Sequence, residues 1–102
     1  MIRHIVLVRF RPEITQAEKA SIYAELESLR ELVPGFLGAS YGANVSPEGL
    51  HKGFSDGFAM DFVDAAARDA YLVHPAHKAA GARLVAALDG GLDGVLVFDL
   101  EV

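Results

Sequence analysis

The apolar residues of this chain fall into short segments separated by polar and glycine-rich stretches. Four such segments are predicted to be strands: residues 2–10, 36–45, 54–63 and 95–102. In the first of them, period two places one set of side chains on a common face: Ile2, His4, Val6, Val8 and Phe10. Aliphatic side chains also occupy the opposite face of this strand, so we expect both faces to be covered.

Helical periodicity lies between the first two strands and again between the last two. The capping box Thr15-Gln-Ala-Glu18 begins the first helix, and Pro34-Gly35 ends it. Apolar residues follow in this helix at spacings of four, three and four: Ile22, Leu26, Leu29 and Val33. The second helical region is split into a short helix over Ala65–Leu72 and another from Pro75 to about Leu88.

The resulting order is β-α-β-β-α-β, which is typical of a ferredoxin-like α+β domain with a four-stranded antiparallel sheet and the helices on one face. We expect residues 1–102 to form a single domain. The hydrophobic fraction of 52% and the mean hydropathy of +0.28 are high for a chain of 102 residues. We therefore predict a homodimer in which two sheets pack face to face as a closed α+β barrel.

Charge and composition exclude several classes of partner. The formal net charge is −5 and no run of Lys or Arg occurs, which argues against nucleic acid and anionic membrane surfaces as partners. The absence of cysteine excludes disulfides and a thiolate nucleophile. The first residues resemble neither a signal peptide nor a membrane span, so we expect a cytoplasmic protein.

Proton-transfer groups are densest in residues 71–77, Tyr-Leu-Val-His-Pro-Ala-His. Pro75 disfavours helix at His74 and can open a new helix as its first residue. Tyr71 is therefore predicted to close one helix, and His77 to lie in the first turn of the next. Two helices that meet at a rigid corner hold their side chains in a defined relation, as a functional site requires.

Strand periodicity adds three residues to this candidate site. His4 on the first strand, and Asp56 and Phe58 on the third, share faces with large apolar side chains. We expect them to line a pocket between the sheet and the helices, with His4 or Asp56 orienting an imidazole. In this pocket His77 would take a proton α to a carbonyl, and Tyr71 would donate to the developing oxyanion.

His74 and His77 do not form a convincing metal pair. The proline between them places the two side chains around a corner, and no third ligand is obviously placed. His74 is instead expected at the helix joint, bordering the pocket. We predict no metal and no cofactor.

Several segments along the chain together form a recognisable pattern: Ile2-Arg-His-Ile-Val-Leu-Val-Arg-Phe10, Leu32-Val-Pro-Gly35, Gly42-Ala-Asn-Val-Ser-Pro-Glu-Gly49, Lys52-Gly53-Phe54, Tyr71-Leu-Val-His-Pro-Ala-His-Lys78 and Val95-Leu-Val-Phe-Asp99. On these segments the sequence resembles the stress-responsive A/B barrel (Dabb) family over nearly its whole length. Six such pieces in order, with nothing large inserted, make the match specific. The resemblance implies a homodimeric α+β barrel.

The same resemblance implies roles for several side chains. One plant member of the family is a polyketide cyclase that closes a ring by aldol chemistry with a tyrosine and a histidine as its acid–base pair. Those residues fall on Tyr71 and His77 here, and the cyclase's strand-one histidine falls on His4. A further pocket histidine of the cyclase falls on Asp56, so a shared substrate is not implied.

Two interpretations of function stay open at this point. The chain is either a stable, stress-associated structural dimer, in which Tyr71, His77 and His4 satisfy one another in the core, or a protein with a working pocket. In the second case it is an acid–base enzyme of the cyclase or lyase type, or it binds a small hydrophobic carbonyl compound without turnover. An open cavity among these side chains would favour the pocket.

Overall fold

The computed structural model describes all 102 residues. They form one four-stranded sheet with helices packed on one of its faces. The elements are β1 (Ile2–Val8), α1 (Gln16–Glu27), β2 (Phe36–Ala43), β3 (Asp56–Phe62), α2 (Ala65–Val73), α3 (Pro75–Ala86) and β4 (Val95–Glu101). Two short 3₁₀ helices follow α1 and α3, at Ser28–Glu31 and Gly91–Gly94. No helix has the length and apolar character that crossing a bilayer requires.

The strands lie in the order β2-β3-β1-β4, and every neighbouring pair is antiparallel. This arrangement confirms the predicted ferredoxin-like fold. Strand β1 is central, and its residue His4 lies opposite Met60 of β3 on one side and Asp99 of β4 on the other. Residues that are 95 positions apart in the chain are therefore neighbours in the sheet.

The face of the sheet that contacts the helices forms the core. Alternate residues of β1 and β3 are buried there, as the period of two predicts: Ile2, His4, Val6, Val8, Phe58, Met60 and Phe62. Helix α1 covers one part of this face with Ile22 and Leu26. Apart from Tyr71, His4 is the one polar side chain among the buried residues.

Two helix ends differ from their predicted positions by more than one residue. The first helical segment changes to 3₁₀ geometry at Ser28, so that its last turn is tighter before Pro34. Helix α3 ends at Ala86, two residues early, because Leu88 pairs with Phe10 in an isolated bridge and Gly90 turns the chain with a φ of 77°. Glycine takes this left-handed conformation without a steric penalty.

The opposite face of the sheet, here called the outer face, carries apolar side chains that the helices do not cover. Leu96, Phe98 and Leu100 of β4 lie on it, opposite Leu7, Ile5 and Arg3 of β1. Phe98 is 56% exposed in the single chain. An apolar sheet face of this kind is normally covered by another layer of structure.

Candidate functional site

A proline corner between α2 and α3 positions the candidate residues. Pro75 is the first residue of α3, and His74 before it is extended with a ψ of 134°. The His74 ring closes the corner, since its Nδ1 accepts a hydrogen bond of 3.0 Å from the Ala76 backbone N–H. This bond caps the N-terminus of α3.

Tyr71 and His77 come together across this corner. Their ring centroids are 4.4 Å apart, although the two side chains form no hydrogen bond with each other. The His77 Nδ1 lies 3.1 Å from the Leu72 carbonyl oxygen. Because a carbonyl only accepts, Nδ1 carries the proton in this bond, and Nε2 keeps the lone pair.

The electrostatic surroundings keep both side chains neutral. Burial lowers the pKa of His77 below its ordinary value, the bond to Leu72 raises it in part, and the nearby His4 lowers it further. Burial raises the pKa of Tyr71 well above its ordinary value, with no contribution from a hydrogen bond. At neutral pH the site therefore holds an imidazole that can accept a proton and a phenol that can donate one.

The Tyr71 side chain is held by aromatic rings rather than by polar groups. It is 1% exposed and contacts Phe36, Phe62 and His4, with ring centroids 5.6, 5.1 and 6.1 Å away. No group of the chain forms a hydrogen bond with its hydroxyl, and the hydroxyl oxygen is not fully enclosed by protein atoms. The hydroxyl therefore reaches the cavity beside it.

This cavity of about 440 Å³ lies between α2, α3 and the β1–β4 half of the sheet, and is partly open to solvent. His4, Tyr71 and His77 line it, together with Phe58. Most of its remaining wall is apolar: Val6, Leu26, Leu84, Val85, Val95 and Val97. A mainly apolar cavity with a few convergent polar groups is typical of a small-molecule site.

A bonded pair of charged residues, Arg68 and Asp99, lies at the polar end of the cavity. The His4 Nδ1 lies 2.7 Å from Asp99 Oδ1, and the other oxygen of Asp99 accepts a bond of 2.8 Å from Arg68 Nη1. Burial alone would raise the pKa of Asp99, but the bonds from Arg68 and His4 outweigh burial and lower it. Asp99 is thus a carboxylate with a partner on each oxygen.

Two of the predicted pocket residues lie outside the cavity. Asp56 is on the helix-facing side of the sheet as predicted, but it is the first residue of β3. It is four residues from Met60, the β3 residue that pairs with His4, and therefore about 13 Å from Met60 along the strand. Its carboxylate pairs with Lys19 Nζ at 3.3 Å, and it orients neither imidazole. His74 does not line the cavity because its ring bonds forward to the α3 backbone.

Asp99 and Arg68 are the site residues that sequence reasoning missed. Asp99 is a single acidic residue within the apolar run Val95-Leu-Val-Phe-Asp-Leu100, and the ferredoxin-like order places β4 beside β1. Pairing the two strands by their register would have matched Asp99 with His4. Arg68 precedes Tyr71 by three residues, a spacing that puts both on one side of a helix.

Fold and site together define a ferredoxin-like α+β protein with a cavity that is polar at one end. The chain belongs to the stress responsive A/B barrel domain family, whose model matches residues 2–102. The resemblance inferred from the sequence is thereby confirmed.

Three known proteins are similar to this chain. A dimeric ferredoxin-like protein of unknown function from Jannaschia sp. CCS1 has 38% sequence identity, with a TM-score of 0.91 over 99% of this chain and 98% of its own. The stress-response A/B barrel domain-containing protein HS1 of Arabidopsis thaliana is 30% identical, over 98% of this chain and 88% of its own length. Olivetolic acid cyclase of Cannabis sativa is 24% identical over 80 residues, which are 78% of this chain and 79% of the cyclase.

Proposed function

We propose that this protein is a homodimer in which each cavity binds a small, mainly apolar carbonyl compound and carries out acid–base chemistry on it. The observation that carries the proposal is the unbonded Tyr71 hydroxyl, which faces a 440 Å³ cavity beside the neutral ring of His77. This hydroxyl reaches the cavity and has no partner in the chain, so it is available to donate a hydrogen bond to a ligand. Its position on the cavity wall favours a ligand-binding role.

The two side chains have complementary roles in this chemistry. His77 Nε2 takes a proton from the carbon next to the carbonyl, and the electron pair of the broken C–H bond moves towards the carbonyl oxygen. Tyr71 donates a hydrogen bond to the enolate oxygen that develops. The resulting carbon nucleophile can attack a second carbonyl or be reprotonated, and the proton held by His77 is returned at the end.

The cavity wall supports a ligand of modest size and low polarity. Its volume is within the range of about 300–1,000 Å³ that is usual for small-molecule sites. Leu26, Leu84 and Val85 supply apolar contact on the helix side, and Phe58 supplies it on the sheet side. A low-polarity wall also strengthens the bond from Tyr71 to a developing negative charge.

The homodimer follows from the outer face and from the relatives. The Jannaschia protein, 38% identical, is described as dimeric. In this chain the outer face carries the exposed Leu96, Phe98 and Leu100, which a second copy would bury. The cavity lies on the helix-facing side of the sheet, away from the outer face.

A structural, stress-associated role is the second candidate, and the 30% identity with the Arabidopsis stress-response protein favours it. Under this candidate the polar side chains at the corner serve stability alone. His4 and Asp99 fit that role because they are paired. The Tyr71 hydroxyl bonds nothing in the chain, so it adds no hydrogen bond to the core.

The test is a ligand screen of the dimer with Tyr71→Phe and His77→Ala variants beside it. We expect small apolar ketones to shift the NMR signals of cavity residues, and turnover to fall at least a hundredfold in both variants while they remain folded. A panel of ketones that leaves these signals unchanged would refute the pocket. Binding that both variants retain in full, without turnover in any form, would reduce the proposal to a binding protein.

A further inference from the structure

Arg68, Asp99 and His4 form a continuous chain of bonds that crosses three elements at the polar end of the cavity. Arg68 belongs to α2, Asp99 to β4 and His4 to β1. The two bonds to the Asp99 carboxylate measure 2.8 and 2.7 Å, which is short enough for charge-assisted hydrogen bonds. The three side chains also line the cavity.

The bond to Asp99 determines which nitrogen of the His4 ring carries the proton. A carboxylate only accepts, so Nδ1 donates in this contact, and Nε2 is the ring nitrogen left over. The other close neighbours of the ring are Phe62 and Tyr71, whose rings meet it edge-on at 6.3 and 6.1 Å. No other group of the chain bonds His4, so its tautomer depends on Asp99.

Arg68 in turn holds the carboxylate in place. Its Nε lies 3.0 Å from Asp69 Oδ1 while Nη1 bonds Asp99, so the guanidinium is anchored on its own helix and reaches over to β4. Strand β4 is at the edge of the sheet and Asp99 is part-exposed. Without Arg68, the second carboxylate oxygen would have water as its partner and the carboxylate would be free to rotate.

We propose that Arg68 is a positioning residue: acting through Asp99, it holds His4 in one tautomer and orientation and leaves His4 Nε2 as a second proton acceptor in the cavity. A ligand that uses all three groups would place its carbonyl at Tyr71 and His77 and a hydroxyl at His4. That statement about the ligand rests on the proposed function, whereas the role of Arg68 does not.

The test uses the full-length protein labelled with ¹⁵N-histidine, without any ligand. The ¹⁵N signals of the His4 ring report which nitrogen is protonated, and a ¹³C titration reports the Asp99 carboxyl. Asp99→Ala supplies the reference signals of His4 without its acceptor. Arg68→Gln is the test variant, and Arg68→Lys is the conservative variant. Arg30→Gln is the matched control, because the Arg30 side chain pairs with Glu27 at a distance of 3.5 Å and does not line the cavity.

We expect Arg68→Gln to move the His4 signals towards those of Asp99→Ala and to shift the Asp99 titration to higher pH, because a bond that lowers its pKa is lost. Arg68→Lys should restore part of both changes, and Arg30→Gln neither change. If Arg68→Gln lowers thermal stability but leaves the His4 and Asp99 signals as in the wild type, Arg68 only fastens α2 to β4 and the proposal is wrong. Since no ligand is present, this outcome is independent of the ketone screen.

Discussion

At the scale of single residues, two tyrosines of this chain use their hydroxyls in opposite ways. The Tyr41 hydroxyl donates a hydrogen bond of 2.8 Å to Glu27 on α1, whereas the Tyr71 hydroxyl bonds nothing. Both rings pack against phenylalanines of the core. The two positions therefore form a matched pair in which the same substitution has different consequences.

We predict that Tyr71→Phe leaves the free energy of unfolding unchanged or raises it, because the hydroxyl that is removed has no partner in the folded state. Tyr41→Phe should lower it by about 0.5–1.5 kcal/mol, since a hydrogen bond is lost and Glu27 loses its donor. Urea unfolding of both variants measures the difference. A loss of about 2 kcal/mol or more in Tyr71→Phe would exceed the usual net contribution of one hydrogen bond, and would show that the hydroxyl stabilises the core.

His77 provides a pH-dependent prediction. Its pKa is lowered in the folded protein, chiefly by burial, so the folded state binds a proton less readily than the unfolded chain. The contribution of His77 to stability is therefore complete above about pH 6.5 and decreases as the pH falls from there towards the lower folded pKa. The urea unfolding midpoint of His77→Gln should change less with pH over this acidic range than that of the wild type. If the midpoint changes equally with pH in the variant and the wild type, the pKa of His77 is not lowered in the folded protein.

At the scale of elements, the corner between α2 and α3 depends on a side chain that belongs to neither helix. His74 accepts the Ala76 N–H, and its own backbone N–H donates to the Tyr71 carbonyl. The residue thus ends one helix and begins the next. The relative position of Tyr71 and His77 rests on this joint more than on any bond between them.

We predict that His74→Ala destabilises the protein by about 1 kcal/mol, the usual cost of removing an N-cap acceptor. His74→Asn should lose much less, because the asparagine side chain can accept the same N–H. Thermal unfolding of the two variants, compared at one pH, provides the measurement. Equal losses in both would mean that the ring packs at the joint and that its capping bond adds little.

The elements also show how far sequence reasoning extends. Periodicity placed His4 on the buried face, and Pro75 placed His74 in the joint, because both features are local. Asp56 was assigned to the correct face of β3 but not to its correct end, since a period of two carries no information on distance along a strand. Asp99 and Arg68 escaped notice because their contacts with each other and with His4 exist only once three elements are assembled.

At the scale of the whole molecule, the two faces of the sheet have separate uses. The helix-facing side contains the core and the cavity, and the outer face carries an uncovered apolar surface. Strand β4 contributes to both sides through alternate residues. Leu96, Phe98 and Leu100 face outwards, while Val97 and Asp99 line the cavity.

We predict that Phe98→Glu converts the homodimer to a monomer, because a carboxylate at the centre of an apolar interface would be buried without a partner. Size-exclusion chromatography with light scattering gives the mass directly. Val45→Glu is the control, since Val45 is 93% exposed in the β2–β3 connection. A Phe98→Glu variant that remains dimeric would place the interface elsewhere than on the outer face.

The alternation along β4 also limits how the gene for this chain can change during evolution. Phe98 and Asp99 are consecutive, so one inserted or deleted residue in this seven-residue strand would send the aromatic ring into the cavity and the carboxylate to the outer face. Both the dimer and the polar end of the cavity would be lost in a single event. Length variation among descendants should therefore accumulate in residues 44–55, where most side chains are exposed, while β4 keeps its length.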